Sequence, residues 1–485
     1  KNFQMISYAI KNIPEKDNIS LLYQIGTIRN LQVPNKSQDV IISTFMLSEL
    51  GPLQQQIFLR NAWNALKPGG RLLLAAEFIP SGVWKIIFKM KRWFYNKKLK
   101  KFNIEKTNPL EHFYDYFNQI GFQKNDEKEW THGSIKAIEL RKKFQNGKNK
   151  PRFYRPVPPK VKGILSQFKI WRCLFTGQID NIPIEPGLYK SGKPDEKSPV
   201  IVTANYSYTF IKVMRDLDEI DAWVLCIDSN GINVWCAARG SEFGNKKLLE
   251  AVEATGLKYF TTNKIIILPQ LSAGGISKPN LPENTDNFPF KIKYGPVWSK
   301  DLKEYLKTQP KKKPDKMKIA NFTLPHRVRA GITHTTFLLR KVFFFPLLIT
   351  FFVLLGLDIM NLMDKVWVII DLIVWILFPN LLLILFYPLS NFTRNFIVKS
   401  IFFGILNFFF LALITWSLRT SFSYIFLNSV FFFWIGFFTT MSFSGYTMST
   451  NPREIQNEYP LFKKLNYIFL ITGVLFTIIS VMIIK

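Results

Sequence analysis

The chain has 485 residues and a net charge of +30, with 46 Phe but only three cysteines and four histidines. That length allows two or three domains, each with its own core, and the positive excess favours anionic partners. Cys173, Cys226 and Cys236 show no CxxC spacing, which excludes a disulfide framework or an iron–sulfur or zinc site built from them alone.

Residues up to about 335 read as lysine-rich soluble protein of cytosolic type, whereas Phe, Leu, Ile and Val dominate from about Val342 onward. The expected fold is therefore α/β, Rossmann-like soluble domains followed by an all-α transmembrane domain. The basic residues lack the regular aromatic interleaving of a nucleic-acid platform, so membrane lipid is the expected anionic partner and nucleic acid is not. No signal peptide is visible, and with Lys1 in place of Met the sequence leaves room for an upstream segment.

In chain order, residues 1–141 form the first expected domain. "DVIISTFMLSEL" reads as a buried strand, a helix follows from Pro52 to Leu66, and "LKPGGRLLLAAEF" gives a turn at Pro68-Gly69-Gly70 and a second buried strand. This order resembles the later half of a class I S-adenosylmethionine-dependent methyltransferase. The family's glycine-rich turn and ribose-binding acid are absent from these residues. Either the gene product is longer, or the domain does not bind S-adenosylmethionine. The run "VWKIIFKMKRWFYNKKLKKF" mixes cations with aromatics and reads either as a membrane-surface helix or as a lid on its own domain.

A basic linker, 142–160, leads to a second α/β domain, 161–306. "PVIVTAN" reads as a strand, "YTFIKVMRDL" as a helix, "AWVLCI" as a strand, Asp228 to Gly231 as a turn and "INVWC" as a further strand. "NKKLLEAVEATG" is an amphipathic helix stopped by Gly256, and "KIIILPQL" is the next strand. On this reading Cys236 ends a strand, where open α/β sheets bind ligands, beside a helix N-terminus that favours thiolate. Spacing alone leaves open whether it is a metal ligand or a packed small hydrophobe.

A second basic linker, 307–341, precedes the membrane domain, 342–485. Five spans are expected at about 342–360, 366–387, 397–416, 422–441 and 467–484. The loops near Arg394 and Lys399, and near Arg453, Lys463 and Lys464, are richer in cations than those near Lys365 and Arg419. That asymmetry predicts a multi-pass inner-membrane protein with cytoplasmic soluble domains and an external C-terminus. Asp371, inside the second span, reads either as functional or as snorkelling to the nearby headgroups.

"PVIVTANYSYTF", "DEIDAWVLCIDSNGINVWCAA", "ILPQL" and "YGPVWSKDLKEYL" resemble the corrinoid-binding domain of the mercury-methylation corrinoid protein family HgcA, related to the large subunit of the corrinoid iron–sulfur proteins. The resemblance runs from about Gly187 to the C-terminus and includes "MSFSGYTMSTNPREI" after the fourth span. It implies that Cys236 is the catalytic residue and the lower axial ligand to cobalt of a base-off corrinoid. A thiolate trans to a methyl group would ease its departure as a carbanion equivalent to Hg(II), a soft substrate. His112, His132, His326 and His334 show no Asp-x-His-x-x-Gly motif.

The residues that the resemblance places around the corrin are Thr203, Asn205, Asn233, Val234, Trp235, Ala237, Ala238, Gly240, Phe243 and Gly244. Thr203, Asn205 and Asn233 read either as partners of corrin amides or as ordinary strand-end and turn residues. After Ala238 the family usually continues Gly-Lys-Gly-Thr-Phe-Gly, whereas this chain has Arg239-Gly240-Ser241-Glu242-Phe243-Gly244. Because the chain builds no cluster of its own, a ferredoxin-like iron–sulfur partner is implied for cobalt reduction. A one-carbon methyl carrier without mercury activity, and an adaptor without cofactor, are the alternative roles.

Overall fold

The computed structural model describes residues 27–28, 33–102, 106–143, 152–155, 161–176, 183–283, 288–308, 313–342, 373, 376–417, 422–444 and 452–484. Its first unit is a four-stranded sheet of β1 (Gln38–Thr44), β2 (Leu66–Glu77), β3 (Phe122–Trp130) and β4 (Ile135–Lys142), in the order β1-β2-β4-β3. β1 and β2 are parallel and joined by α1 (Pro52–Ala65), which starts at Pro52, where a fixed φ and a missing N–H cost nothing.

Two details of this unit differ from the sequence reading. Among the described residues β1 pairs only with β2, which leaves Ile42 69% exposed instead of buried. Pro68-Gly69-Gly70 lies within β2 as an irregularity: Gln38 pairs with Leu66 but Val40 pairs with Arg71. The basic aromatic run forms α2 (Gly82–Lys101), tied to its own domain by Lys85–Glu111 and Arg92–Glu77 ion pairs at 3.0 and 3.1 Å. It still presents Val83, Ile86, Met90 and Phe94 to solvent.

The expected linker 142–160 is docked where it is described. Phe153 is fully buried in the first unit's core, Tyr154 exchanges two hydrogen bonds with the Gln119 side chain at 2.9 and 3.0 Å, and Arg155 pairs with Glu185. Leu53 and Ile57 of α1 share one apolar cluster with Val202, Leu225 and Val252 of the second unit. Arg60 meets Glu253 at 3.2 Å across the same contact.

The second unit is a five-stranded sheet in the order β5-β7-β6-β8-β9, comprising β5 (Gly187–Ser191), β6 (Val200–Ala204), β7 (Ala222–Ile227), β8 (Ile265–Leu268) and β9 (Lys291–Tyr294). Only the β5–β7 pair is antiparallel. Every residue of β6 and β7 is buried, as the unbroken apolar runs require of strands covered on both faces. Since β7 lies on one side of β6 and β8 on the other, the sheet has its switch point at the C-terminal end of β6.

Around this sheet stand α3 (Ile164–Thr176), α4 (Ser207–Asp216), α5 (Val234–Arg239), α6 (Asn245–Thr255) and α7 (Leu302–Thr308). The predicted strand "INVWC" is instead the start of α5. The Asn233 side chain accepts a hydrogen bond from the Cys236 N–H at 2.9 Å, an N-cap, and Ala237 and Ala238 carry the helix on.

The second expected linker, 307–341, contains helix α8 (Leu324–Phe337), which has Pro325 in its first turn. Beyond it lie α9 (Phe396–Ser417), α10 (Phe422–Ser444) and α11 (Pro452–Ile484). Among the described residues one stretch, Phe396–Ile414, is long and apolar enough to cross a membrane. Shorter apolar helices are Ile376–Phe392 and Ser429–Ser444. Most of the expected spans 342–360 and 366–387, and Asp371 with them, lie outside the described residues.

α9 and α10 approach closely. A Cβ on Gly436 would lie 3.0 Å from the Phe403 carbonyl, so the glycine admits the close backbone approach. The Glu458 carboxylate accepts from the N–H groups of Phe396 and Ile397 at 2.8 and 3.0 Å, so α11 caps the start of α9.

Candidate cofactor site at Cys236

A cavity of about 400 Å³, within the range of small-molecule sites, opens at the C-terminal ends of β6 and β8. Its walls are Val202 and Thr203 of β6, Leu268 of β8, the run Asn233 to Cys236, and residues of α3, α4 and α8. Cys236 therefore lies on a short helix facing the strand ends, and the strand-end position expected from sequence is corrected to the first turn of α5.

Burial pushes the Cys236 thiol above its ordinary value of 9.0, while the Asn233 side chain and Arg239 pull the other way. The thiolate preference expected from a neighbouring helix terminus is thus reversed by desolvation. Cys236 is nonetheless part exposed, unlike Cys173 and Cys226, which are both buried.

Thr203 is wholly buried, and its hydroxyl has no hydrogen-bond partner among the described residues although the side chain lines the cavity. A buried hydroxyl left unpaired costs about 1–3 kcal/mol, so a ligand atom here would relieve a standing penalty. Asn205, expected beside it, does not line the cavity. Its side-chain oxygen accepts from Ser229 N, Ser229 Oγ and Gly231 N at 2.8–3.0 Å, and its amide donates to Asp228 at 3.1 Å. Those bonds use it up in holding the Asp228 to Gly231 turn.

The other expected residues divide in the same way. Val234 and Trp235 line the cavity with Cys236. Ala237, Ala238 and Phe243 are buried in the domain core and fasten α5 to it. Gly240 ends α5 and Gly244 begins α6. The departure in sequence has a visible structure: Arg239 lies over the Trp235 ring at 3.6 Å, and Glu242 accepts from Asn230 at 2.7 Å. Gly275 lets the following loop press on α5, because a Cβ there would lie 2.5 Å from the Ala238 carbonyl and 2.8 Å from Ala238 Cα.

Several wall residues were not anticipated. Cys173 of α3 lines the same cavity as Cys236. So do Trp298 and His326, whose rings stack at 4.5 Å, and Arg329, which lies over Tyr208 at 3.8 Å. The available signal was "TLPHR": a Thr followed by Pro in the next turn marks a helix start inside what read as linker.

A soft sulfur donor and an unpaired hydroxyl lining one cavity fit a corrinoid, whose metal takes a thiolate and whose rim carries amides. A whole corrinoid is larger than this cavity, so only part of it would be enclosed.

Residues 160–280 match the family model of the CO dehydrogenase/acetyl-CoA synthase delta subunit, and residues 2–74 that of a methyltransferase domain. Curated relatives include the acetyl-CoA decarbonylase/synthase complex subunit gamma of Methanocaldococcus jannaschii, 38% identical over 104 residues, 21% of this chain and 21% of the relative. The subunit gamma of Methanopyrus kandleri is 35% identical over 104 residues, 21% and 22% of the two chains. That of Methanothermobacter thermautotrophicus is 30% identical over 154 residues, 30% and 32%. The chain thus spans about a fifth to a third of the length of these relatives.

Among solved structures, an S-adenosylmethionine-dependent methyltransferase from Methanosarcina mazei covers 29% of this chain and 77% of its own, at 16% identity and a TM-score of 0.24. The first segment is a methyltransferase-like α/β domain, and the second is related to the corrinoid iron–sulfur type of protein. These matches bear on that broader kinship and not on the mercury-methylation branch.

Proposed function

We propose that the chain is a membrane-held corrinoid protein that passes a methyl group to Hg(II), the acceptor implied by the Asn-Val-Trp-Cys-Ala-Ala resemblance. The observation that carries this reading is that Cys236 and Thr203, with its unpartnered hydroxyl, line the same cavity at the sheet's switch point. A bound corrinoid, held through Cys236, would supply a cobalt centre able to take up and give away methyl. The chain's own residues do the rest.

Asn233 caps α5 and so fixes where the Cys236 thiol stands. Ala237 and Ala238 hold that helix against the core, and Thr203 offers the ligand a hydrogen bond. Because burial favours the protonated thiol, a metal held at Cys236 would displace that proton, and its binding would tighten as pH rises.

A separate ferredoxin-like protein would deliver electrons. S-adenosylmethionine is a candidate ligand of the first domain, supported by the match over residues 2–74. The apolar helices from Ile376 onward support a multi-pass anchor in the cytoplasmic membrane, soluble domains inside and C-terminus external. Glu458, which caps the start of α9, ties together the two cation-rich loops that this topology places on one side.

A second reading, a methyl carrier of one-carbon metabolism, draws support from the gamma-subunit relatives, whose names place them in an acetyl-CoA decarbonylase/synthase complex. The test is to load the purified full chain with methylcobalamin and supply Hg(II) under reducing conditions. Methylmercury formed at a rate above that of free methylcobalamin supports the first reading. Protein that retains the cofactor without such a rate supports the second, and protein that takes up no corrinoid refutes both.

A further inference from the structure

Helix α3 (Ile164–Thr176) carries apolar residues on two faces where a surface helix needs only one. Ser166, Ile170 and Cys173, at helical spacing, are buried against the domain. Ile164, Phe168, Trp171 and Phe175 follow one another at intervals of three and four along a second face, and they are 88%, 65%, 55% and 50% exposed. Leu165, beside them, is 72% exposed. Lys169 and Arg172 are exposed along the same helix, and Lys162 is exposed just before it.

The surroundings say what this second face meets. α3 packs on α8, whose Thr333 hydroxyl donates to the Leu174 carbonyl. The next residue, His334, hydrogen-bonds Asn380 at 2.6 Å and Ser442 at 2.7 Å, both in the apolar helical region. One residue of α3 is therefore two hydrogen-bonded steps from helices proposed to lie in the bilayer. An aromatic and aliphatic row flanked by cations at that level matches the boundary between acyl chains and anionic headgroups.

We propose that α3 is an interfacial membrane helix, its Ile164, Phe168, Trp171 and Phe175 row seated in the headgroup layer of an anionic bilayer. This rests on the membrane-held reading above. Since the opposite face of α3 contributes Cys173 to the cavity wall, the helix would also set the height of the cofactor cavity just above the bilayer surface.

The test places photoreactive benzoylphenylalanine at Trp171 or Phe168 of the full chain in phosphatidylcholine/phosphatidylglycerol vesicles, with Thr262 as control. Thr262 is exposed and precedes β8, at the end of the sheet away from the cavity. Lipid adducts at positions 168 and 171 and none at 262 are expected. Absence of lipid adducts at 168 and 171 in a chain that resists alkaline extraction overturns the inference and leaves the anchor standing. Adducts to protein at these positions also overturn it, since another segment would then cover the row. Extraction of the chain by alkali refutes the anchor instead, and a lipid adduct at 171 would still support α3 as a surface helix.

Discussion

Replacing Cys236 by Ala separates a ligand from a packed cysteine, because the structure predicts little structural cost. The side chain is part exposed, so losing its sulfur leaves no closed void. The cap at the head of α5 is a bond from the residue 236 N–H to Asn233, which Ala retains, and Ala is a better helix former by a few tenths of a kcal/mol. The net change in stability should stay within about 1 kcal/mol. Cys226→Ala is the opposite case: Cys226 is fully buried in β7, and truncation there should cost about 1–2 kcal/mol through the void it leaves. Cys173 is not a neutral control, because it lines the cavity too.

The two variants should therefore rank one way in thermal midpoint and the other in corrinoid binding. Cys226→Ala melts lower yet keeps the cofactor, whereas Cys236→Ala melts near the parent chain and binds cobalamin at least ~10-fold more weakly, a loss of about 1.4 kcal/mol. Spectroscopic titration with cobalamin beside a melting curve for each protein makes the comparison. Equal, mild effects on binding in both would mean that Cys236 is only a small hydrophobe.

Three further outcomes are expected. Thr203→Val, which keeps the shape and removes the unpaired hydroxyl, should raise the melting temperature of the cofactor-free protein, by an amount corresponding to about 1–3 kcal/mol at most, while weakening cobalamin binding. Loss on both counts would show that the hydroxyl has a protein partner. Gly275→Ala should destabilise by roughly 1–3 kcal/mol in urea unfolding, since its Cβ meets backbone of Ala238 that cannot swing aside; an unchanged midpoint would show that this loop stands off α5. Alkylation of Cys236 by iodoacetamide, followed site by site in the cofactor-free chain, should still be accelerating above pH 9.0, because burial holds the thiol protonated. A rate that levels off below that pH would place a thiolate there already.

The sequence made the strands of the second unit legible because their apolar runs are unbroken: "PVIV" and "AWVLCI" have no amphipathic alternative. It misled at "INVWC", where Ile, Val and Trp favour a strand by propensity. The structure gives Asn233 the role of a cap, which only the following Ala-Ala pair hinted at. Of the residues expected around the cofactor, Thr203, Asn233, Val234, Trp235 and Cys236 converge, while Asn205 serves its own turn. The α8 wall was illegible for a different reason. His326 and Arg329 are far along the chain from Cys236, and nothing local to "LPHRVRAGITHTTF" reveals which cavity the helix covers.

The placement of Cys236 on α5 rather than at a strand tip changes what controls it. A strand-end thiol would be fixed by the sheet itself, the most rigid part of the unit. A thiol on a six-residue helix depends on three attachments: the Asn233 cap, the burial of Ala237 and Ala238, and the loop pressed on α5 at Gly275. An isolated helix that short is not stable in water, so these tertiary contacts decide whether the thiol faces the cavity at all. Arg239 and Glu242, the residues that depart from the related motif, sit at the far end of the same helix and loop, where Glu242 binds Asn230 at 2.7 Å and Arg239 covers the Trp235 ring. They bear on the orientation of α5 and leave the Cys236 sulfur itself unchanged. On the corrinoid reading proposed above, substitutions at 239–242 in this chain should accordingly appear in how fast a corrinoid enters and leaves, more than in whether it is held.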